Sequence, residues 1–159
     1  MPSPFRALHR SASLATLLFL FAFLVACQDE YVRKACFQGD CMTGDGVLVY
    51  YRLIYKGQFK DGKMDGEGTM QWAEGKIYEG EWREGKPWGK GVMKWKDGRV
   101  YQGDWRAGRQ EGKGTLRWKD GRVYEGDFKH GKMHGRGELI FADGQKRSGR
   151  FENGAFIGD

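Results

Sequence analysis

Four tyrosines, Tyr55, Tyr78, Tyr101 and Tyr124, stand 23 residues apart, and their surroundings keep the same step. Tyr78 is followed by Gly80, Trp82, Gly85, Gly89, Gly91 and Gly98, and Tyr101 by Gly103, Trp105, Gly108, Gly112, Gly114 and Gly121. Tyr55 leads into Gly57, Phe59, Gly62, Gly66, Gly68 and Gly75, and Tyr124 into Gly126, Phe128, Gly131, Gly135, Gly137 and Gly144. A fixed period of this length means an array of stacked units, each in contact with its neighbours. The frame runs on through Gly149, Phe151, Gly154 and Gly158, with Arg147 where a tyrosine would stand. Upstream, Gly44-Asp45-Gly46 matches the paired-glycine element but lies one residue too close to Tyr55. Terminal units of an array depart from the pattern because they cap it.

Within a unit the residue types alternate. Gly68 to Trp72 and Tyr78 to Trp82 place small or apolar residues at every second position. Period two means strands with two distinct faces. Between the runs stand Glu74-Gly75, Asp97-Gly98, Asp120-Gly121 and Asp143-Gly144, which are hairpin signals. A two-residue turn at Asp97-Gly98 would put Trp95 and Tyr101 on opposite faces. A three-residue loop with Gly98 in the left-handed region keeps both on one face, and is favoured because it makes a single stripe.

That stripe contains Met70, Trp72, Tyr78, Trp82, Met93, Trp95, Tyr101, Trp105, Leu116, Trp118, Tyr124, Phe128, Leu139, Phe141 and Phe151, and the glycines between leave room for rings to lie flat. The opposite face carries Glu79, Glu81, Lys94, Gln102, Asp104, Arg117, Glu125 and Asp127. The expected fold is all-β: an elongated, single-layer antiparallel meander of hairpin repeats. A single sheet cannot hide both faces. The stripe needs its own curvature, loops, a second copy or a partner to cover it. Collagen is excluded because Pro87 is the only proline after Pro4. The 14% aromatic content argues against a disordered chain.

The pattern Tyr-x-Gly-x-(Trp/Phe)-x-x-Gly-x-x-x-Gly-x-Gly, followed seven residues later by another Gly, resembles the MORN repeat. The resemblance covers Gly44 to Gly158, with full units at 55–77, 78–100, 101–123 and 124–146 and partial units at each end. It implies a scaffolding, dimerising module, and lipid headgroup binding is the role from which the family takes its name.

The first residues read as an address. Arg6 and Arg10 precede an uncharged run from Leu14 to Leu24. Eleven helical residues span about 16 Å, about half a hydrocarbon core, as in a cleaved signal rather than a spanning helix. The run ends in Leu24-Val25-Ala26-Cys27, which resembles the lipobox of bacterial lipoproteins. The resemblance implies cleavage after residue 26, palmitate-type acylation of Cys27 and a lipid-anchored protein of the cell envelope. Gln28 stands where Asp would favour inner-membrane retention, which points to the outer membrane. The expected organisation is a signal peptide over 1–26, an acylated N-terminus and linker over 27–43, and the array over 44–159.

Acylation of Cys27 leaves Cys36 and Cys41. Their spacing lets a small loop close, and an oxidising compartment would preserve a disulfide there. Free thiols and a zinc site are the rival readings. Zinc needs four ligands, and the only histidines after the signal, His130 and His134, are far along the chain.

No nucleophile constellation is visible: Ser148 is the only serine after the signal. The carboxylates recur at equivalent positions, as solvated surface would, rather than flanking one cleft. The expectation is a non-enzyme with no cofactor, no metal and no catalytic residue. Loss of Arg6 and Arg10 leaves 25 basic against 21 acidic residues, interleaved, and export removes nucleic acid as a partner. Three functions fit. The first is a scaffold with an unidentified protein partner or self-association. The second is headgroup binding through Lys60, Lys63, Lys86, Lys90, Lys113 and Lys132, set in the loops between hairpins. The third is glycan or cell-wall binding by the aromatic stripe. Candidate partner-binding residues on that stripe are Tyr78, Trp82, Trp95, Tyr101, Trp105, Trp118, Tyr124 and Phe128.

Overall fold

A computed structural model describes residues 36–50 and 52–159. The signal, Cys27 and the linker before Cys36 lie outside the described residues. Twelve antiparallel strands form one sheet in chain order. They are β1 Cys36–Gly39, β2 Gly44–Tyr50, β3 Leu53–Lys60, β4 Lys63–Trp72, β5 Ile77–Arg83, β6 Lys86–Lys94, β7 Val100–Arg106, β8 Arg109–Arg117, β9 Val123–Lys129, β10 Lys132–Ile140, β11 Lys146–Glu152 and β12 Ala155–Gly158.

Two kinds of turn alternate. Met93 pairs with Tyr101 and Lys94 with Val100, and the Trp95 N–H donates to the Arg99 carbonyl. The loop is therefore three residues, with Gly98 at φ 91°, and Trp95 shares a face with Tyr101. The second kind is a two-residue turn with both centres at positive φ, such as Asp61 at 51° and Gly62 at 71°. Glu84-Gly85, Ala107-Gly108, His130-Gly131 and Asn153-Gly154 repeat it. Expected as loops between hairpins, these segments are tight primed turns, so the meander runs unbroken. The glycine of each donates its N–H to the preceding unit, as from Gly85 to Met64 and from Gly108 to Pro87, both at 2.9 Å.

The short spacing before Tyr55 has a simple cause. Tyr50 pairs with Leu53, so two residues connect β2 and β3 where later units use three. Leu48 still faces Tyr55, as Met70 faces Tyr78, and the register survives the missing residue.

Eleven glycines form one row across the sheet. Gly39, Gly46, Gly57, Gly68, Gly80, Gly91, Gly103, Gly114, Gly126, Gly137 and Gly149 each pair with the next. The tyrosine rings lie over this row. A Cβ on Gly114 would stand 2.5 Å from the Tyr101 hydroxyl and ring, and one on Gly103 would meet the Gly114 Cα at 2.5 Å. The absent side chains bring strands together and admit the rings.

Cys36 and Cys41 are joined by a disulfide. The bond spans the β1–β2 turn, where the Asp40 carboxylate accepts from the Met42 and Thr43 N–H groups at 2.8 and 3.0 Å. Those two N–H groups hold the Asp40 carboxyl below the usual range. Closing so short a loop stabilises by about 2 kcal/mol. Reduction is expected to raise amide hydrogen exchange in β1 and β2 and to leave β7–β9 unchanged, because units contact only neighbours.

Candidate functional site

The aromatic face is a continuous chain of edge-to-face rings. In order they are Phe59, Tyr55, Trp82, Tyr78, Trp105, Tyr101, Phe128, Tyr124, Phe151 and Phe156. Centroid separations run from 4.9 to 5.3 Å. Each tyrosine touches the ring of its own unit and that of the next, so the contact that builds one unit also joins two. Such pairs contribute about 0.5–1.5 kcal/mol beyond area burial.

The polar tips are satisfied internally. The hydroxyls of Tyr55, Tyr78 and Tyr101 donate to the carbonyls of Gln58, Glu81 and Asp104 at 2.9 Å, and that of Tyr124 to Asp127 at 3.0 Å. Trp82 and Trp105 donate their indole N–H groups to the carbonyls of Gly68 and Gly91 at 3.0 and 3.1 Å.

The row of candidate partner-binding residues therefore divides, and most of it needs correction. Tyr78, Tyr101 and Tyr124 are 0% exposed. Trp82, Trp105 and Phe128 are also buried. These six belong to the core, packed against ring edges of the same chain and hydrogen-bonded, for the tyrosines and tryptophans, to its carbonyls. Trp95 and Trp118 are only partly buried, and each carries a guanidinium over its ring, from Arg99 at 5.2 Å and Arg122 at 5.1 Å. Lys76 stands over Trp72 at 4.2 Å in the same way. Asp97 and Asp120 accept from Arg99 and Arg122, whose backbone and side-chain N–H groups hold both carboxyls below the ordinary range. Arg147, at the tyrosine position of the last unit, spans Phe141 and Phe156 at 5.4 Å each.

Several carboxylates expected as plain surface are part of the scaffold. Each unit has a bulge before its glycine pair, and a side chain on the neighbouring strand caps it. Glu81 accepts from the Lys90 N–H at 2.8 Å, Asp104 from Lys113 at 2.9 Å and Asp127 from Arg136 at 3.0 Å. Gln58 does the same for Glu67 at 2.9 Å. Gly89 at the second bulge has φ 59°, and a Cβ there would stand 2.3 Å from the Glu81 carboxylate. The two glycines of the motif thus have different jobs: one turns the bulge, the other lies under a ring. Burial works against ionisation of Asp104, but Lys90 and the Lys113 N–H hold its carboxyl below the usual range.

Glu81, Asp104 and Asp127 are thereby bound to backbone N–H groups of the neighbouring strand. His130 occupies a primed turn, with its N–H on Glu111 at 3.0 Å, and the His134 carbonyl lies 3.4 Å from the Tyr124 hydroxyl. Among the described residues no three His, Cys, Asp or Glu side chains gather as metal ligands. Three of the six lysines of the edge are paired: Lys63 with Glu84, Lys90 with Asp104, and Lys113 with Asp127 at 2.7 Å.

A family model for the MORN repeat matches residues 55–77, 78–98, 101–121 and 124–146, more than half of the chain. The chain belongs to the MORN repeat family. Its matched units begin at the four tyrosines that the period singles out, and MORN arrays are interaction modules. No curated protein matches this MORN protein.

The opposite face of the MORN sheet is accessible. A shallow trough follows the glycine row there, with Gln102, Thr115, Glu125 and Glu138 along one side and Lys113, Arg136 and Arg150 along the other. Lys146 and Ser148 hold the Glu138 carboxyl below its usual range.

Burial, with nearby carboxylates adding to it, pushes the phenols of Tyr55, Tyr78 and Tyr101 well above their ordinary value and that of Tyr124 up to about 12. The unfolded chain ionises these groups at lower pH than the fold does. Their contribution is complete below the unfolded value of 10 and is lost as pH rises through the folded values. Phenolate absorbance is expected to show four of the seven tyrosines silent at pH 11 and then released in one cooperative alkaline unfolding step.

Proposed function

We propose that this protein is a non-enzymatic, lipid-anchored scaffold of the bacterial cell envelope, which binds a protein partner through its MORN sheet. The observation that carries the reading is the closure of the aromatic face. The residues that recur in every unit build the fold, and the accessible opposite face carries a trough lined by both acidic and basic side chains. An extended, charge-alternating polypeptide segment fits such a surface. The lipobox ending at Cys27 supplies membrane attachment, and three acyl chains would hold it essentially permanently. Outer-membrane placement follows from Gln28.

Glycan binding by stacked rings loses much of its platform: Trp82 and Trp105 are only 4% and 6% exposed, and the partly buried Trp95 and Trp118 already carry guanidinium groups over their rings. Headgroup binding by the lysine edge is weakened by the ion pairs of Lys63, Lys90 and Lys113, which engage three of its six lysines.

Membrane fractionation of cells tests the anchor, with mass analysis of the N-terminal peptide. The native chain is expected to start at an acylated Cys27, and Cys27→Ser to lose the acyl mass. The unacylated chain over 28–159 is expected to remain in the supernatant with both anionic vesicles and isolated cell wall at near-physiological salt. Vesicle retention that falls steeply with salt would favour headgroup binding instead. Salt-insensitive retention on wall would favour glycan.

A further inference from the structure

Exposed large apolar side chains are unevenly spread. Among the described residues they are Phe37, Met42, Val49, Tyr50, Ile54 and Ile157. Five of these six belong to the first three strands and the turn between β1 and β2. The later units, with the same architecture, show none until β12.

Four of them share one corner of the sheet. Val49 pairs directly with Ile54 on the face opposite the rings, and Tyr50 pairs with Leu53 at the β2–β3 turn. Cys36 stands opposite Leu48, with Phe37 next along at an irregular point of the β1–β2 pairing. β1 runs antiparallel to β2, away from that turn. The chain therefore enters the sheet at the corner where Val49, Tyr50 and Ile54 are exposed. Phe37 is 74% exposed and Ile54 47%. Arg52 is exposed at the turn, and Lys76 lies over Trp72, which pairs with Leu53. Aromatic and aliphatic groups rimmed by cations are the composition of a surface that rests in the interfacial layer of a bilayer.

The length of chain before the sheet points to the occupant. Cys27 lies nine residues before Cys36, a reach of about 30 Å at full extension. An anchor at Cys27 gives this corner, where the chain enters the sheet, the shortest path to lipid. A contact too weak to hold the protein alone then forms readily, because it is intramolecular in effect.

We propose that the corner formed by Phe37, Val49 and Ile54 lies in the interfacial layer of the membrane that holds the acylated Cys27, and that lipid is its occupant. The contact would set the angle at which the array leaves the membrane and keep the trough of the later units clear for a partner. The proposal rests on the lipoprotein reading of Cys27, and the test separates the two.

The full-length chain is produced with p-benzoylphenylalanine at position 37, 54 or, as control, 157. It is reconstituted into phosphatidylethanolamine–phosphatidylglycerol vesicles and irradiated. All three positions are exposed, so the sheet accepts the probe. Lipid adducts at 37 and 54 are expected several-fold above those at 157. Equal yields at the three positions would overturn the proposal. The intact mass reports acylation in the same sample. Acyl mass without the contrast leaves the anchor and removes the surface. The contrast on a chain without acyl mass keeps the surface and removes the anchor.

Discussion

Gly103→Ala is expected to destabilise the array by about 3 kcal/mol, the upper part of the range for overpacking. The backbone at Gly103 is ordinary, so conformation would permit alanine; space does not. Its Cβ would meet the Gly114 Cα and the Lys113 carbonyl at 2.5 Å and the Tyr101 hydroxyl at 2.6 Å. Two of these are backbone atoms of the paired strand and cannot rotate aside. Relief requires β7 and β8 to part, which also lifts the Tyr101 ring. Gly144→Ala is the opposite case. Nothing lies within 4 Å of its Cβ, but φ is 85°. Only the left-handed conformation is penalised, at about 1 kcal/mol. Urea unfolding of both variants checks the order. A larger loss at Gly144 would mean that glycine serves turn geometry alone in these repeats.

Trp105→Ala is expected to cost about 4 kcal/mol, as for removal of a large buried ring. The indole touches Tyr78 and Tyr101 at 5.2 and 5.3 Å, so its loss uncouples two units as well as opening a cavity. Trp105→Phe is expected to cost about 1 kcal/mol, the net worth of its hydrogen bond to the Gly91 carbonyl. Phe59 and Phe128 occupy the same position in their units and make the same edge-to-face contacts with Tyr55, Tyr101 and Tyr124. Unfolding curves for the two variants separate ring packing from the hydrogen bond. The alanine curve is also expected to broaden, because neighbour coupling is what makes an array cooperative.

Period and alternation were enough to place the strands, because each rests on geometry that repeats four times. The three-residue loop at Gly98 was decidable in advance, since only that length keeps Trp95 and Tyr101 together. The tight turns at Asp61-Gly62 and its counterparts carry no comparable signal. Their first residue, Asp61, Glu84, Ala107, His130 or Asn153, varies too widely to advertise a primed turn, and only the following glycine is constant. The fate of the aromatic stripe was not legible either. The glycines between the aromatics show room for rings to lie flat, but alternation does not report that the flattened tyrosines seal that face without a second layer. The carboxylates of Glu81, Asp104 and Asp127 looked like solvated charge because their partners are backbone N–H groups, which leave no mark on residue type. The clustering of exposed apolar groups near Cys36 needed the register, since Phe37, Val49 and Ile54 are scattered along the chain.

The central claim is that the aromatic face is closed by its own rings and is not a docking surface. Hydroxyl-radical footprinting of the full chain, read residue by residue by mass spectrometry, tests it most directly. Tyr78, Trp82, Tyr101 and Trp105 are expected to be strongly protected, while exposed Phe37, Met42 and Tyr50 react readily. Reaction of Tyr101 and Trp105 as fast as Tyr50 would contradict the account, and would return the stripe to the list of surfaces open to a partner.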